Sequence, residues 1–470
     1  MGRKKRRLFY EQVIIEDIGS EGKALVKVND MVIFTRHAIP GDIVDLQIIK
    51  KRKNYMEAVI TKFHKYSEER VGAFCTHFGH CGGCAWQCLP YKKQLYYKQK
   101  QVEEQLVRIG KIALPEIAPV LASEKETFYR NKLEFAFSDR RWLTKEEIES
   151  GDDFTGSGAL GFHVNDQYDK VVNLEQCWLQ PEPSNAIRNF VFKYATEKGL
   201  QFFDIRNRKG FLRTLVIRTS SRGEVMVILT LFRNHKEDLF RLLDSLKDNF
   251  PSITSLMYAV NPKGNDSLTD IDIMLYHGRD YITEEMEGLK FRVGPKSFFQ
   301  TNSEQAYNLY KIVREFASLT GNETVYDLYT GTGTIAQFIA ANAGKVIGID
   351  FISSAIDDAV INASLNRIGN VLFFTGDIKE LLNKSFISVH GKPDVIITDP
   401  PRAGMHKDVI GSLLSILPYK IIYVSCNPAT QARDLHLLAD KYKVVRVQPV
   451  DMFPHTRHIE NVVLLERALT

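Results

Sequence analysis

Apolar and polar positions follow three different rhythms along the chain. Short apolar runs come first, at Gln12–Ile15, Ala24–Val28, Met31–Phe34, Ile43–Ile48 and Glu57–Ile60. Gly19, Gly22, Asn29-Asp30 and Pro40-Gly41 separate them. Short runs punctuated by glycine and proline are strand signals, and five of them predict a small OB-like β-barrel. A polar stretch follows, 92–109, with Leu95, Val102, Leu106 and Ile109 at helical spacing. From about 128 to 290 strands and helices alternate without a nucleotide motif. There Tyr129–Phe135 and Phe211–Arg218 place basic residues at alternate positions. Alternation puts those residues on one sheet face, either to grip an anionic polymer or to form ion pairs. The Glu- and Gly-rich stretch 143–158 predicts an exposed loop. From Thr324 onward strand, glycine turn, helix and strand succeed one another, the start of a doubly wound sheet. The fold class is therefore α/β at the carboxyl end, behind a central α+β unit and an amino-terminal barrel. The boundaries fall at 1–66, 67–290 and 291–470.

Composition adds limits. At 470 residues the chain has room for about three domains. Its apolar and charged fractions, 44% and 25%, are those of ordinary globular proteins. No apolar run of membrane-spanning length is present, so no membrane partner is expected. The basic amino terminus lacks the apolar run of a secretory signal, which points to the cytoplasm. Net charge is +5, and Arg3, Lys4, Lys5, Arg6 and Arg7 carry all of it, leaving the rest balanced. A basic arm on a neutral body suits a polyanionic partner, or simply a solvated tail.

Four of the six cysteines crowd between 75 and 88. Cys75, Cys81 and Cys84 are separated by five and then two residues, with Gly82-Gly83 permitting a tight turn. Thiolates at such spacing bind soft metals or iron–sulfur clusters. A fourth ligand is available from Cys88, His77, His80 or the distant Cys177, and zinc held by three Cys and one His fits the spacing too. The gaps differ from those of radical enzymes that cleave S-adenosylmethionine (SAM).

The carboxyl third carries cofactor chemistry. Val325–Tyr329 leads into Thr330-Gly331-Thr332-Gly333-Thr334, and Val346–Asp350 ends in an acid. The glycines allow close backbone approach, and Asp350 can accept from ribose hydroxyls. A nicotinamide dinucleotide fits Gly331-x-Gly333-x-x-Ala336 only weakly. Asp327 before the glycines and the Asp399-Pro400-Pro401-Arg402 turn after Val395–Thr398 favour SAM. Arg402 replaces the aromatic that amine-methylating enzymes place after the prolines. Gly376-Asp377 follows a third strand and can face an adenine. Cys426 then follows the buried run Ile421–Tyr423, at a strand's carboxyl end where open α/β sheets hold ligands. It is a candidate nucleophile, or else a buried structural thiol.

Five motifs occur in order: Phe298–Asn302, Asp327–Gly333, Asp399–Gly404, Ser425–Thr430 and Pro454–Glu460. Together they resemble the RNA uracil-C5 methyltransferase family, over nearly the whole chain. The barrel, with its Ile39-Pro40-Gly41-Asp42 turn, is similar to a TRAM domain, an RNA-binding module. The resemblance implies SAM contacts from Gln300, Tyr329, Asp350 and Asp399, to which the glycine turn adds Gly331 and the third strand's end adds Asp377 as candidate cofactor contacts. It implies Cys426 as nucleophile and Glu460 as base, and a [4Fe-4S] cluster on Cys75, Cys81, Cys84 and Cys177. Asp350 departs from the family, where Glu is common. Barrel plus cluster resembles the branch acting on 23S ribosomal RNA. Two alternatives are the same reaction on the T-loop uridine of transfer RNA, and a non-catalytic RNA-binding iron–sulfur protein. The chain is expected to act as a monomer. His455 and His458, with Glu460, also spell a conceivable metal site.

Overall fold

The computed structural model describes residues 8–468 except 155, 157 and 166, so the basic arm lies outside the described residues. The barrel has six strands, not five. The extra one, Asp17–Ile18, is only two residues long and leaves no pattern in the sequence. Ile15, Val26, Ile33, Val44, Leu46 and Met56 fill the interior. The Ile39–Asp42 turn is locked because buried Asp42 accepts from the Ile39 and Ser67 amides and from both prongs of Arg70. Lys50 and Lys51 end the strand Ile43–Lys51.

Seven strands form the central sheet, from Ile273–Gly278 at one edge to Gln167–Asn173 at the other. Helices Ser184–Glu197 and Lys236–Asn249 cover one face through Ile187, Val191, Leu239, Leu242 and Leu246. On the opposite face Val216, Met226, Ile228 and Met257 join one core with Leu309 and Val313 of the helix Ser303–Ala317. The basic face expected for Phe211–Arg218 is therefore not an RNA surface. Strand Leu212–Thr219 is interior to the sheet and buried throughout. Arg213 donates to the carbonyls of Asn261 and Lys263 and to Asp266. Arg218 donates to those of Gly294 and Ser297. Burial holds the Arg218 guanidinium down at about 10, with Glu284 opposing. Both arginines tie segments together.

Two further expectations change. The 143–158 stretch contains a helix, Lys145–Ser150, because Thr144 and Glu147 form a reciprocal capping box. The helix Tyr91–Gln105 buries Gln94 and Lys98 beside Val102, while Ile109 is exposed. Leu106–Gly110 winds as a π-helix, which shifts the phase of the buried face. Val102 and Leu106 pack against Ala432 and Leu435 of the helix Pro428–Leu438, so this segment joins the carboxyl-terminal sheet.

That last sheet runs in the order Val371–Thr375, Lys345–Asp350, Thr324–Leu328, Val395–Thr398, Lys420–Ser425, Glu460–Arg467, Tyr442–Val450. The first five are parallel. The chain order reverses between Thr324–Leu328 and Val395–Thr398, which opens a crevice at their carboxyl ends. Strand Glu460–Arg467 runs antiparallel between its two neighbours. Its beginning therefore sits where the parallel strands end. No helix among the described residues is long and apolar enough to cross a membrane.

Candidate active site

Residue pairing in the sheet decides which groups meet. Ser425 is opposite Asn461, so Cys426 and Glu460 leave adjacent strands at the same end. Fully buried Gln431 locks this register, donating to the carbonyls of Tyr423 (2.9 Å) and Asn461 (3.2 Å) and accepting from the Asn461 amide at 2.7 Å. Asn427 caps the helix that follows Cys426, accepting from the Ala429 amide at 3.2 Å. Its own amide donates to the Arg402 carbonyl at 3.0 Å, as the Thr430 hydroxyl does at 3.1 Å. The Asp399–Arg402 turn is thereby held against the cysteine turn.

Charge in this crevice is unbalanced. Burial, then Asp399, pushes the Glu460 carboxyl well above its ordinary range, and Arg402 opposes. Burial, then Asp327, raises Asp399 to about 7. Asp327 is itself raised to about 7 by burial, against a 2.5 Å bond from the Thr330 hydroxyl. Burial, Glu460 and Asp399 lift the Cys426 thiol to about 11, with Arg402 again opposing. Arg402 offsets only the Glu460 carboxyl and the Cys426 thiol, and Asp327 and Asp399 have no nearby cation to oppose their burial. A cationic ligand is what such a site lacks.

The glycine turn is shaped for close approach. Tyr329, Gly331 and Gly333 have φ of 63°, 55° and 73°. A Cβ on Gly333 would come within 2.7 Å of the Phe373 ring. Asp350 accepts from the amides of Gly331 and Ile352, each at 2.9 Å, which fixes its carboxylate at the strand end. Asp327 Oδ1 and Thr398 Oγ1 are buried without partners. These orphaned acceptors, the acidic surplus and the turn all fit SAM, whose sulfonium is a cation. Gln300 is buried, and its carbonyl accepts from Asn131 at 2.9 Å, so the central sheet positions it. Asp377 caps the short helix Ile378–Leu381 and pairs with Lys379, so it is already engaged.

Cys75, Cys81, Cys84 and Cys177 line one cavity, floored by Phe78, Phe162 and Leu174 among others. Cys88 is elsewhere, buried with Trp86 and Leu89. His77 accepts from the Glu175 amide at 3.1 Å. Among the described residues no group of three or more His, Cys, Asp and Glu is arranged to hold a metal ion, at the four cysteines or at His455 and His458. A cavity ringed by thiols suits a larger polynuclear group better than one ion. Arg188, fully buried, packs near Cys177 and donates to neutral acceptors, the side-chain oxygens of Asn185 and Asn189 and the Glu175 backbone carbonyl. Its charge would offset that of several thiolates.

A family model described as "tRNA (Uracil-5-)-methyltransferase" matches residues 219–468, more than half the chain. The chain belongs to this family of SAM-dependent RNA uracil-C5 methyltransferases. A TRAM domain model matches 10–61, within the barrel. An "Uncharacterized RNA methyltransferase" of Bacteroides thetaiotaomicron is 58% identical, covering 96% of this chain and 100% of that protein. One of the same description from Porphyromonas gingivalis is 53% identical over 96% of this chain and 99% of its own length. Among solved structures, the Pyrococcus abyssi tRNA (uracil-54, C5)-methyltransferase in complex with S-adenosyl-L-homocysteine has a TM-score of 0.73 at 28% identity. It covers 97% of this chain and 100% of its own.

Some groups that shape the methyltransferase site escaped the sequence reading. In the sequence Arg402 stands out only for the aromatic it replaces; the structure puts it near Cys426 and Glu460 as a cation. Lys98, fully buried, donates to Asp451 at 2.6 Å and to the Phe453 carbonyl at 3.1 Å, anchoring the loop before Glu460. Nothing in a Lys-rich helix marks one lysine as buried. The signal lay in the partner, an isolated acid in the apolar run Val450-Asp451-Met452-Phe453.

Proposed function

We propose that the protein methylates carbon 5 of a uridine in structured RNA through a covalent adduct on Cys426. The observation that carries this is the Ser425–Asn461 register, which brings a thiol and a buried carboxyl to one crevice. Carbon 5 of uracil is a weak nucleophile. Addition of the Cys426 thiolate to carbon 6 makes an enolate and activates carbon 5, splitting a hard step in two. SAM, held by Gln300, Tyr329, Gly331, Asp350, Asp377 and Asp399, supplies an electrophilic methyl group. Arg402 is the cation placed to favour the thiolate. Glu460 then takes the carbon-5 proton, and the Cys426–carbon-6 bond breaks. A carboxyl with raised affinity for protons is suited to that abstraction. The uridine must leave its stack to expose a face to the thiol.

RNA substituted with 5-fluorouridine tests the chemistry, because fluorine at carbon 5 cannot leave as a proton. Wild type should form a denaturation-resistant complex in the presence of SAM, and Cys426→Ala should not. Undiminished trapping by Cys426→Ala removes it from its role.

For substrate, 23S ribosomal RNA is the first reading, on the joint presence of barrel and four cysteines. Transfer RNA is the second. The barrel alone does not divide them, because the tRNA-modifying P. abyssi enzyme spans 97% of this chain. Mapping which methyluridines vanish in a deletion strain decides. We assign the four-cysteine cavity to a [4Fe-4S] cluster. Anaerobically purified protein should be brown with stoichiometric iron and sulfide, and Cys81→Ser should lose both; a colourless zinc protein overturns the assignment.

A further inference from the structure

Arg402 is exposed, and a long side chain in solvent samples many rotamers. A cation that is to act on Cys426 and Glu460 therefore needs a tether. Its backbone has one, because the Asn427 amide and the Thr430 hydroxyl both donate to the Arg402 carbonyl. Its guanidinium has another, on the loop before Glu460. Arg402 Nη2 lies 3.3 Å from Nδ1 of half-buried His458. A guanidinium has only donors, so Nδ1 accepts, and the ring is neutral with its proton on Nε2. Among the described residues the guanidinium makes no other hydrogen bond. The surroundings favour the neutral ring: burial, then Arg402, Arg457, Arg130 and Lys98, hold His458 down at about 4. The imidazole is itself braced. It stands edge-on to Phe453, with ring centroids 6.4 Å apart and planes at 88°. The His458 amide donates to the Thr456 hydroxyl oxygen at 3.3 Å, and that hydroxyl donates to the Phe453 carbonyl at 2.8 Å. Lys98 donates to the same carbonyl.

We infer that His458 is a positioning residue for the proposed reaction, whose Nδ1 acceptor holds the Arg402 guanidinium near Cys426 and Glu460. The inference rests on the reading above in one respect, the use of Arg402 as the cation that favours the thiolate. The sheet register brings the cysteine turn and the start of strand Glu460–Arg467 to one end, and Arg402 joins them. The cysteine turn holds its backbone, and the loop leading into Glu460 holds its tip. Nucleophile, base and cation are thereby kept in one frame. Without the acceptor the guanidinium is free to swing into solvent, where water and salt weaken its attraction for a thiolate.

The test is the rate at which iodoacetamide alkylates Cys426 in the full-length, ligand-free protein. His458→Phe keeps an aromatic ring beside Phe453 but has no acceptor. At pH 9 its rate should fall about threefold, as the thiolate becomes rarer. His458→Asn offers an amide oxygen close to the place of Nδ1 and should keep the wild-type rate. In an Arg402→Gln background, His458→Phe should cause no further fall, because residues that act through one contact are not additive. A wild-type rate in His458→Phe, a slow rate in His458→Asn, or additive losses overturns the inference. Nitrogen NMR of histidine-labelled protein reads the same bond with His458 intact. Its Nδ1 signal should be that of an unprotonated acceptor and should move in Arg402→Gln; an unmoved signal equally overturns it. Neither readout needs methyl transfer, so failure of the proposed reaction and failure of this tether are separate outcomes.

Discussion

Gln94 and His455 bond to each other at both ends of the amide. Gln94 Oε1 accepts from the His455 backbone amide at 2.8 Å, and Nε2 donates to Nδ1 at 3.1 Å. Nδ1 is thus an acceptor, and the ring is neutral with its proton on Nε2. Burial and nearby Lys98 hold this imidazole down at about 4, consistent with that form. The His455 carbonyl meanwhile accepts from the amides of Ala85 and Trp86, directly after Cys84. One loop therefore touches the helix Tyr91–Gln105, the cysteine segment and, five residues on, Glu460.

Gln94→Leu should break that junction. It leaves a buried amide and imidazole nitrogen without partners, at a cost of about 1–3 kcal/mol each. Urea unfolding should show the loss. Single-turnover trapping with 5-fluorouridine RNA should still form the adduct, since Cys426 is untouched, while release of methylated product from ordinary RNA should slow. Release at the wild-type rate would mean that the loop does not position Glu460.

Lys98→Met should be worse. Lys98 and Asp451 are both fully buried and 2.6 Å apart. Removing one partner strands the other's charge, typically at about 3–5 kcal/mol. Tyr91 also donates to Asp451, at 3.0 Å, but cannot replace a cation. Thermal denaturation of Lys98→Met beside Lys98→Met with Asp451→Leu checks the cause: the double variant should recover part of the loss.

Much of the candidate site is legible in the sequence because the proposed chemistry rests on rare residues in fixed local settings. Cys426 before Asn-Pro, Asp399 before Pro-Pro and Asp350 at a strand end each declare themselves within a few positions. The fold class was legible for a similar reason, since glycine turns and apolar runs are local. What failed to show was long-range. Arg213 and Arg218 read as exposed basic strand positions because a strand's sequence does not report whether another layer covers its faces. Gln94 and Lys98 read as surface because burial of a polar group depends on its partner, and Asp451 and His455 lie more than 350 residues away. The antiparallel insertion of Glu460–Arg467 is likewise a property of the whole sheet, and it alone puts Glu460 beside Cys426.

Alkylation of Cys426 by iodoacetamide should report the local charge. In ligand-free protein the thiol is lifted to about 11, so its rate should climb about tenfold per pH unit from 8 toward 11. Arg402→Gln removes the opposing cation and should slow alkylation at any given pH in that range. Glu460→Gln removes an acid that raises the thiol and should speed it. Mass spectrometry of the Cys426 peptide gives both rates, and identical rates in the two variants would dismiss this electrostatic account.

Stability of the ligand-free enzyme should fall as pH rises from about 4 to 7. Asp327 and Asp399 are each raised from 3.8 to about 7 in the folded state, chiefly by burial. Between those values the unfolded chain has released protons that the folded chain keeps, so raising pH favours unfolding. The penalty is fully developed above the folded value, on the order of 4 kcal/mol for each carboxyl. Asp327→Asn should therefore raise the melting temperature at pH 8 and leave it nearly unchanged at pH 4. The same variant should weaken SAM binding by calorimetry, because the site loses an acid that favours a cation. A melting temperature at pH 8 that does not rise would show that Asp327 is not held against its charge.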